Sequence, residues 1–202
     1  NKTKKNIINF KKSNKKIYRI FYKKNLGVKK NFFKSLDFVF KKEKQAIILE
    51  DDCLIKENFI DFCFHLLKKY KKNKKIWAIS GSNFIEKETS AKNLDFLFSK
   101  YFFCWGWSTW SDRWLDVDQR LTFWDRWKKS HKFKTYFSNH YESDYWRFIF
   151  DQVYNGSINS WAYSVKMNLF YKNKLTIIPK VNLVENLGFG KNSTTTLDYN
   201  VH

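Results

Sequence analysis

The sequence predicts an α/β fold: a mostly parallel central sheet with helices packed on both faces. Three observations carry this expectation. Short apolar runs without alternation mark strands buried on both sides. Runs with apolar residues three and four apart mark amphipathic helices. The two alternate between residues 17 and 80, the order that builds a parallel sheet. At 202 residues the chain suits one domain with a sizeable core.

In chain order, residues 1–16 read as a basic, solvated lead-in. IYRIFY (17–22) is rich in β-branched and aromatic residues and predicts a strand, closed by the turn Asn25-Leu26-Gly27. Phe32, Leu36, Val39 and Phe40 then predict a helix over 29–42. QAIIL (45–49) predicts a strand buried on both faces. Phe59, Phe62, Cys63, Leu66, Leu67 and Tyr70 share one face of a helix over 57–71. IWAIS (76–80) predicts another buried strand, closed by Gly81. Towards the end, LTIIPK passes from a strand through Pro179 into a glycine-containing loop. The domain is expected over 17–196, with 197–202 as a tail.

The chain carries 39 Lys and Arg against 19 Asp and Glu, a formal charge of +20. Two readings stand side by side. The charge attracts anionic partners such as nucleic acid, lipid or phosphate, or it reflects a drift in composition towards Lys, Asn, Ile and Phe. With 43% hydrophobic and 20% aromatic residues, most of the chain is expected to fold. No apolar run is long enough to span a bilayer. Cys53, Cys63 and Cys104 match no zinc spacing and fit a reduced, cytosolic setting. The histidines show no metal-ligand pairing, and no nucleophile elbow, P-loop or aromatic-basic RNA signature is present.

Against this basic background, AIILEDDC (46–53) places Glu50, Asp51 and Asp52 at the end of an apolar run. In parallel α/β sheets ligands gather beyond the carboxyl ends of the strands. Adjacent carboxylates repel unless a cation lies between them, and Mg²⁺ or Mn²⁺ joins such groups to phosphates. The bland alternative is an acidic loop start in which an aspartate caps a turn. YFFCWGWSTWSDRW (101–114) is open in the same way: tryptophans around a glycine either stack on sugar rings or build core. In FWDRW (123–127), Asp125 and Arg126 face either a site or a solvent ion pair. Gly188 and Gly190 admit a phosphate against backbone amides, which is weak evidence by itself.

Taken in order, NLG, IILEDDC, FIDFCFHLLKKY, WAISGSN, YFFCWGWSTWSDRW and NSWAYSVKMNLFYKNKLTIIPKVNLVENLGFG resemble bacterial glycosyltransferases of the GT-A, nucleotide-diphospho-sugar transferase superfamily. The group associated with cell-surface polysaccharide synthesis is the most similar. A shorter stretch is similar to N-acetylglucosaminyltransferase I. The resemblance covers residues 17–196 and implies a Rossmann-like fold, with the first strand of the family absent before Ile17. It implies transfer of a sugar from a nucleotide-diphosphate donor, UDP-sugar foremost, to a glycan or lipid-linked glycan. The enzyme would be cytoplasmic, in peripheral contact with the inner membrane face and with no nucleic-acid partner.

By the same resemblance, Glu50, Asp51 and Asp52 form the DxD-type motif, with Asp52 and Glu50 holding Mn²⁺ or Mg²⁺. Asn25, Gly27, Glu50, Asp51, Gly81, Trp105, Gly106, Trp107, Trp110 and Gly188 line the substrates. Asp125, Asp151 and Asp144 are the candidates for the catalytic carboxylate. Two departures weigh on this. Ala162 stands where some relatives carry an acid, and Thr195 where many carry a histidine. The alternative they leave is a relative that binds sugar nucleotide or glycan without turnover.

Overall fold

The computed structural model describes residues 16–84 and 94–188. Residues 1–15 of the lead-in, Gly190, Thr195 and the tail lie outside them. Helix α1 (Val28–Phe40) precedes strand β1 (Gln45–Ile48) and a short strand β2 (Cys53–Ile55). Then come α2 (Phe59–Tyr70), β3 (Ile76–Ser80), β4 (Phe96–Ser99) and β5 (Trp107–Trp110). Four helices follow: α3 (Ser111–Trp114), α4 (Trp124–Trp127), α5 (His131–Tyr136) and α6 (His140–Asn155). The described chain closes with α7 (Trp161–Tyr171), β6 (Leu175–Pro179) and β7 (Val184–Asn186).

The main sheet has the order β1-β5-β3-β6-β4, and β2 pairs with β7 in a separate ribbon. Mixed α/β architecture is therefore present, but the sheet is not mostly parallel. Only β3 and β6 are parallel neighbours; β1·β5, β3·β5 and β4·β6 are antiparallel. Strands β1, β3 and β6 do share a direction. The tryptophan-rich segment returns as β5 and enters between β1 and β3, which converts an expected parallel contact into two antiparallel ones.

Two local expectations also change. Residues 17–22 form neither helix nor strand, and they stay exposed; among the described residues no strand ladders against them, so β propensity alone did not make one. Strand β1 sits at the sheet edge, where Ile48 is its buried residue and Gln45 is exposed. It is not a strand buried on both faces. By contrast, every residue of β3 is buried, as its apolar run predicts.

Helices cover both faces of the sheet. On one, Phe33, Leu36 and Phe40 of α1 and Val165 and Leu169 of α7 meet Trp77, Trp107 and Trp114. On the other, Phe59, Cys63, Leu66 and Leu67 of α2 pack on Ile76, Ile79, Trp110 and Ile177. Period-2 alternation explains why Trp107 and Trp110 of one strand serve opposite faces. A third cluster joins α4, α5 and α6 to Met167 and Phe170 of α7, with Trp124, Phe133 and Phe150 fully buried in it.

The start of α6 is tied to the loop after β4 by Glu142. Its carboxylate pairs with Lys100 at 2.8 Å, accepts from the Tyr101 hydroxyl and takes the Ser138 amide at 2.9 Å. Burial alone would push this carboxyl up, but those donors outweigh it and hold it down at about 2. A depressed carboxyl stabilises the fold above its unfolded value of about 4.3 and loses that contribution as pH falls towards its folded value. Glu142→Gln should therefore lower the melting temperature at pH 7, with the difference from wild type closing as pH drops from 4.5 towards 2. Melts across that range check it; a gap that stays constant with pH would count against the linkage.

Candidate functional site

The site is built where β1, β3 and β5 meet the β2·β7 ribbon. Beyond Ile48 the chain turns through Glu50–Asp52, and the Cys53 amide donates to the Glu50 carbonyl at 3.2 Å. The ribbon then fixes the turn from the far side. Cys53 pairs with Asn186, and the Leu187 amide donates to the Asp52 carbonyl at 2.8 Å. Gly188 donates its amide to Asn186 Oδ1 at 2.6 Å. A Cβ on Gly188 would stand 2.3 Å from Asp52 Oδ2, so this carboxylate packs directly against the glycine backbone.

The remaining members of the acidic turn differ in environment. Asp51 is exposed, whereas Glu50 and Asp52 are half-buried. The Glu50 carboxyl is pushed up, first by burial and then by the charge of Asp52, while a hydrogen bond with the Trp161 side chain opposes the rise. Cys53 Sγ lies 3.8 Å from Asp52 Oδ1 as a weak donor. Burial, together with the Glu50 charge, pushes the Cys104 thiol up to about 12. Burial likewise raises Cys53. Both thiols stay protonated at neutral pH, which removes them as ready nucleophiles.

Gly81 and Gly106 complete the floor of this edge. The Gly81 amide donates to the Gly106 carbonyl at 2.6 Å, and the Leu183 amide donates to the Gly81 carbonyl at 2.8 Å. A Cβ on Gly81 would lie 2.5 Å from Val184 Cγ2, and one on Gly106 2.6 Å from the same atom. Both glycines are thus required by the close passage of β7 rather than by a ligand. The Asn25–Gly27 turn sits at the rim. Asn25 Oδ1 accepts from the Gly27 amide at 2.9 Å, and Gly27 faces the Asn159 amide, two residues before Trp161.

The structure brings Glu50, Asp51, Asp52, Gly81, Gly106 and Gly188 to one sheet edge, while the described contacts join Asn25 to Gly27 and Gly27 to Asn159. Trp107 and Trp110 depart from expectation. They are 0% and 2% exposed, and the Trp110 indole donates to the Leu67 carbonyl at 3.2 Å. These two are core and have no surface to offer a sugar. Trp105 alone of that group keeps partial exposure, its ring edge-on to Phe84 at 4.8 Å, and the Ser82 hydroxyl donates to its carbonyl at 2.9 Å.

The candidate catalytic carboxylates lie in the helical cluster. Lys128 bridges Asp125 at 3.1 Å and Asp151 at 3.0 Å. Asp151 also accepts from the Trp124 indole at 2.9 Å, and Asp125 from the Tyr154 hydroxyl at 2.9 Å. The Lys128 contact, then the Tyr154 hydroxyl, holds the Asp125 carboxyl below the usual range, which makes it a poor base. Asp144 is exposed on α6. Among the described residues, none of their hydrogen bonds or ion pairs reaches the acidic turn.

Trp161 carries no signal in the sequence: it is one of nine tryptophans, and nothing local marks it as the partner of Glu50. Lys166, just over one helical turn further along α7, is equally unmarked and packs on the helical cluster. Burial lowers its ammonium, which lies over Trp146 at 5.0 Å and Tyr163 at 5.6 Å.

As a metal site the turn offers two half-buried carboxylates, Glu50 and Asp52, close enough for the Asp52 charge to raise the proton affinity of Glu50. Among the described residues no group of three or more His, Cys, Asp or Glu side chains could enclose an ion. Two carboxylates with open positions still suit Mg²⁺ or Mn²⁺, which keep waters or phosphate oxygens as their other ligands. No protein-family model matches the chain, and no curated protein matches it significantly.

Proposed function

We propose that the chain is a metal-dependent glycosyltransferase, moving a sugar from a nucleotide-diphosphate donor to a hydroxyl acceptor of a surface glycan. The observation that supports it is the packing of Asp52 against Gly188 at the sheet edge that also carries Glu50. That arrangement gives a fixed pair of carboxylates beside loop backbone, which suits a cation–diphosphate ligand.

Glu50 and Asp52 would hold Mn²⁺ or Mg²⁺; when bound, the ion supplies charge neutralisation for the departing diphosphate. The chain's own residues supply the positioning. Trp161 would favour the charged form of Glu50, opposing the rise that burial causes. The β2·β7 ribbon fixes the backbone at the Asp52 carbonyl and at Cys53 after it. Trp105, which keeps partial exposure, would contact a sugar face. Asp144, exposed on α6, is the one of the three candidate carboxylates that Lys128 does not engage.

Calorimetric titration with UDP-sugars in the presence of Mn²⁺ tests the reading. Asp52→Ala should weaken binding by more than the roughly 10–100-fold that losing an outer partner of a metal ligand costs. Failure of wild type to bind any common nucleotide sugar with Mn²⁺ present would overturn it.

A further inference from the structure

We propose that residues 16–24 and the outer side of α1 form a docking face for an anionic lipid surface. Peripheral membrane contact is already expected from the charge; its assignment to these residues is new and does not depend on glycosyl transfer. Between residues 16 and 34 every charged side chain is Lys or Arg. Lys16, Lys23, Lys24, Lys30 and Lys34 are all exposed. Exposed apolar side chains lie among them: Ile17 is 40% exposed, Tyr18 47%, Ile20 39% and Tyr22 38%.

The two pieces make one surface. The Lys34 ammonium lies 5.6 Å from the Tyr22 ring. Tyr18 meets Phe38 edge-on at 5.7 Å, and Lys42 lies over both rings at 5.3 and 5.2 Å. The extended segment therefore runs back along α1, with Tyr22 beside its first half and Tyr18 beside its end. Carboxylates are nearly absent from this face. Asp37 is turned away, accepting the Trp114 indole at 2.8 Å and the Gln119 amide at 3.0 Å; Glu43 stands beside Lys16 at one end.

Charge complementarity selects the occupant. Clustered cations are attracted to the negative surface of an anionic leaflet. Exposed isoleucine and tyrosine among those cations would enter the boundary between headgroups and acyl chains, and binding strength follows the apolar area buried as well as the charge. Nucleic acid would use the cations but gains little from exposed isoleucines, which places lipid ahead of it. No helix among the described residues is long and apolar enough to cross a membrane, so the contact is peripheral.

The test is co-sedimentation of the full chain with vesicles of phosphatidylcholine, with and without about one-third phosphatidylglycerol. Wild type should bind the anionic vesicles, release with salt and ignore the neutral ones. Ile17→Ser/Ile20→Ser, which leaves the charge unchanged, should weaken binding by about tenfold or more. Both substitutions are at exposed positions, and an unchanged melting curve confirms that the variant is folded. Lys23→Glu/Lys24→Glu should weaken binding further. The proposal is overturned if the isoleucine variant binds as wild type does, or if neutral vesicles bind equally. It is equally overturned if a single-stranded oligonucleotide binds more tightly than the anionic vesicles and the isoleucine variant retains that binding.

Discussion

Trp107→Ala should cost about 3–5 kcal/mol, a large share of the total stability of a domain this size. Trp107 is 0% exposed. Its ring stacks on Trp77 at 5.5 Å, meets Phe102 edge-on at 5.0 Å and lies 6.1 Å from Trp161. Truncation would open a cavity that rigid rings on both sides cannot collapse to fill. Trp107→Phe should be much milder. The indole Nε1 is buried without a hydrogen-bond partner among the described residues, so the smaller ring removes an unsatisfied donor while keeping most of the contact. Denaturant melts of both variants separate the packing loss from the polar gain. Equal destabilisation by the two would contradict this account.

Gly106→Ala is expected to cost roughly 2–5 kcal/mol from two separable causes. Its φ is +57°, a left-handed conformation that adds about 1–2 kcal/mol for a residue with a Cβ. That Cβ would also lie 2.6 Å from Val184 Cγ2 and 3.3 Å from Leu49 Cδ2, and overpacking typically adds about 1–3 kcal/mol. Gly156 supplies the control. It caps α6 at φ +88°, and an added Cβ there would meet nothing within 4 Å, so Gly156→Ala should show the backbone cost alone. If the two alanine variants melt together, the close passage of β7 over Gly106 is less tight than the contacts indicate. Because Leu49 adjoins Glu50, the Gly106 variant should also weaken metal-dependent ligand binding, whereas the Gly156 variant should not.

Local signals in the sequence carried those parts of the fold that depend on local physics. The apolar stripe from Phe59 to Tyr70 is a helix of those bounds, and the stripe ending at Phe40 is another. IWAIS is a strand buried along its whole length. Strand order was not legible, because the insertion of β5 between β1 and β3 depends on pairing between segments far apart in the chain. The IYRIFY segment had strong propensity but pairs with no strand among the described residues. Helices α3, α4 and α5 are too short to show periodicity, and their aromatic-rich sequences gave no stripe to read.

The candidate site divides along the same line. Three acids in a basic chain are conspicuous, and an apolar strand before them places them at a sheet edge. Their surroundings come from distant segments: Gly188 against Asp52, Trp161 on Glu50, Val184 over Gly106. The tryptophan motif misled for a physical reason. In a β strand adjacent ring positions point to opposite faces, so a strand covered on both sides sends Trp107 and Trp110 into separate cores. Trp105, before the strand, is the one left partly exposed.

The position of β1 has a consequence for motion. It is laddered to β5 along one side only, from Gln45 opposite Trp110 to Ile48 opposite Trp107, whereas β3 is gripped from both sides by β5 and β6. Subglobal opening starts where the fewest bonds must break. Peeling β1 outward would carry Glu50 with it while β3 and β6 hold the rest of the sheet together. The far end of the acidic turn would stay anchored by the Leu187–Asp52 bond and the Cys53–Asn186 pairing, so such opening would hinge at the turn rather than release it.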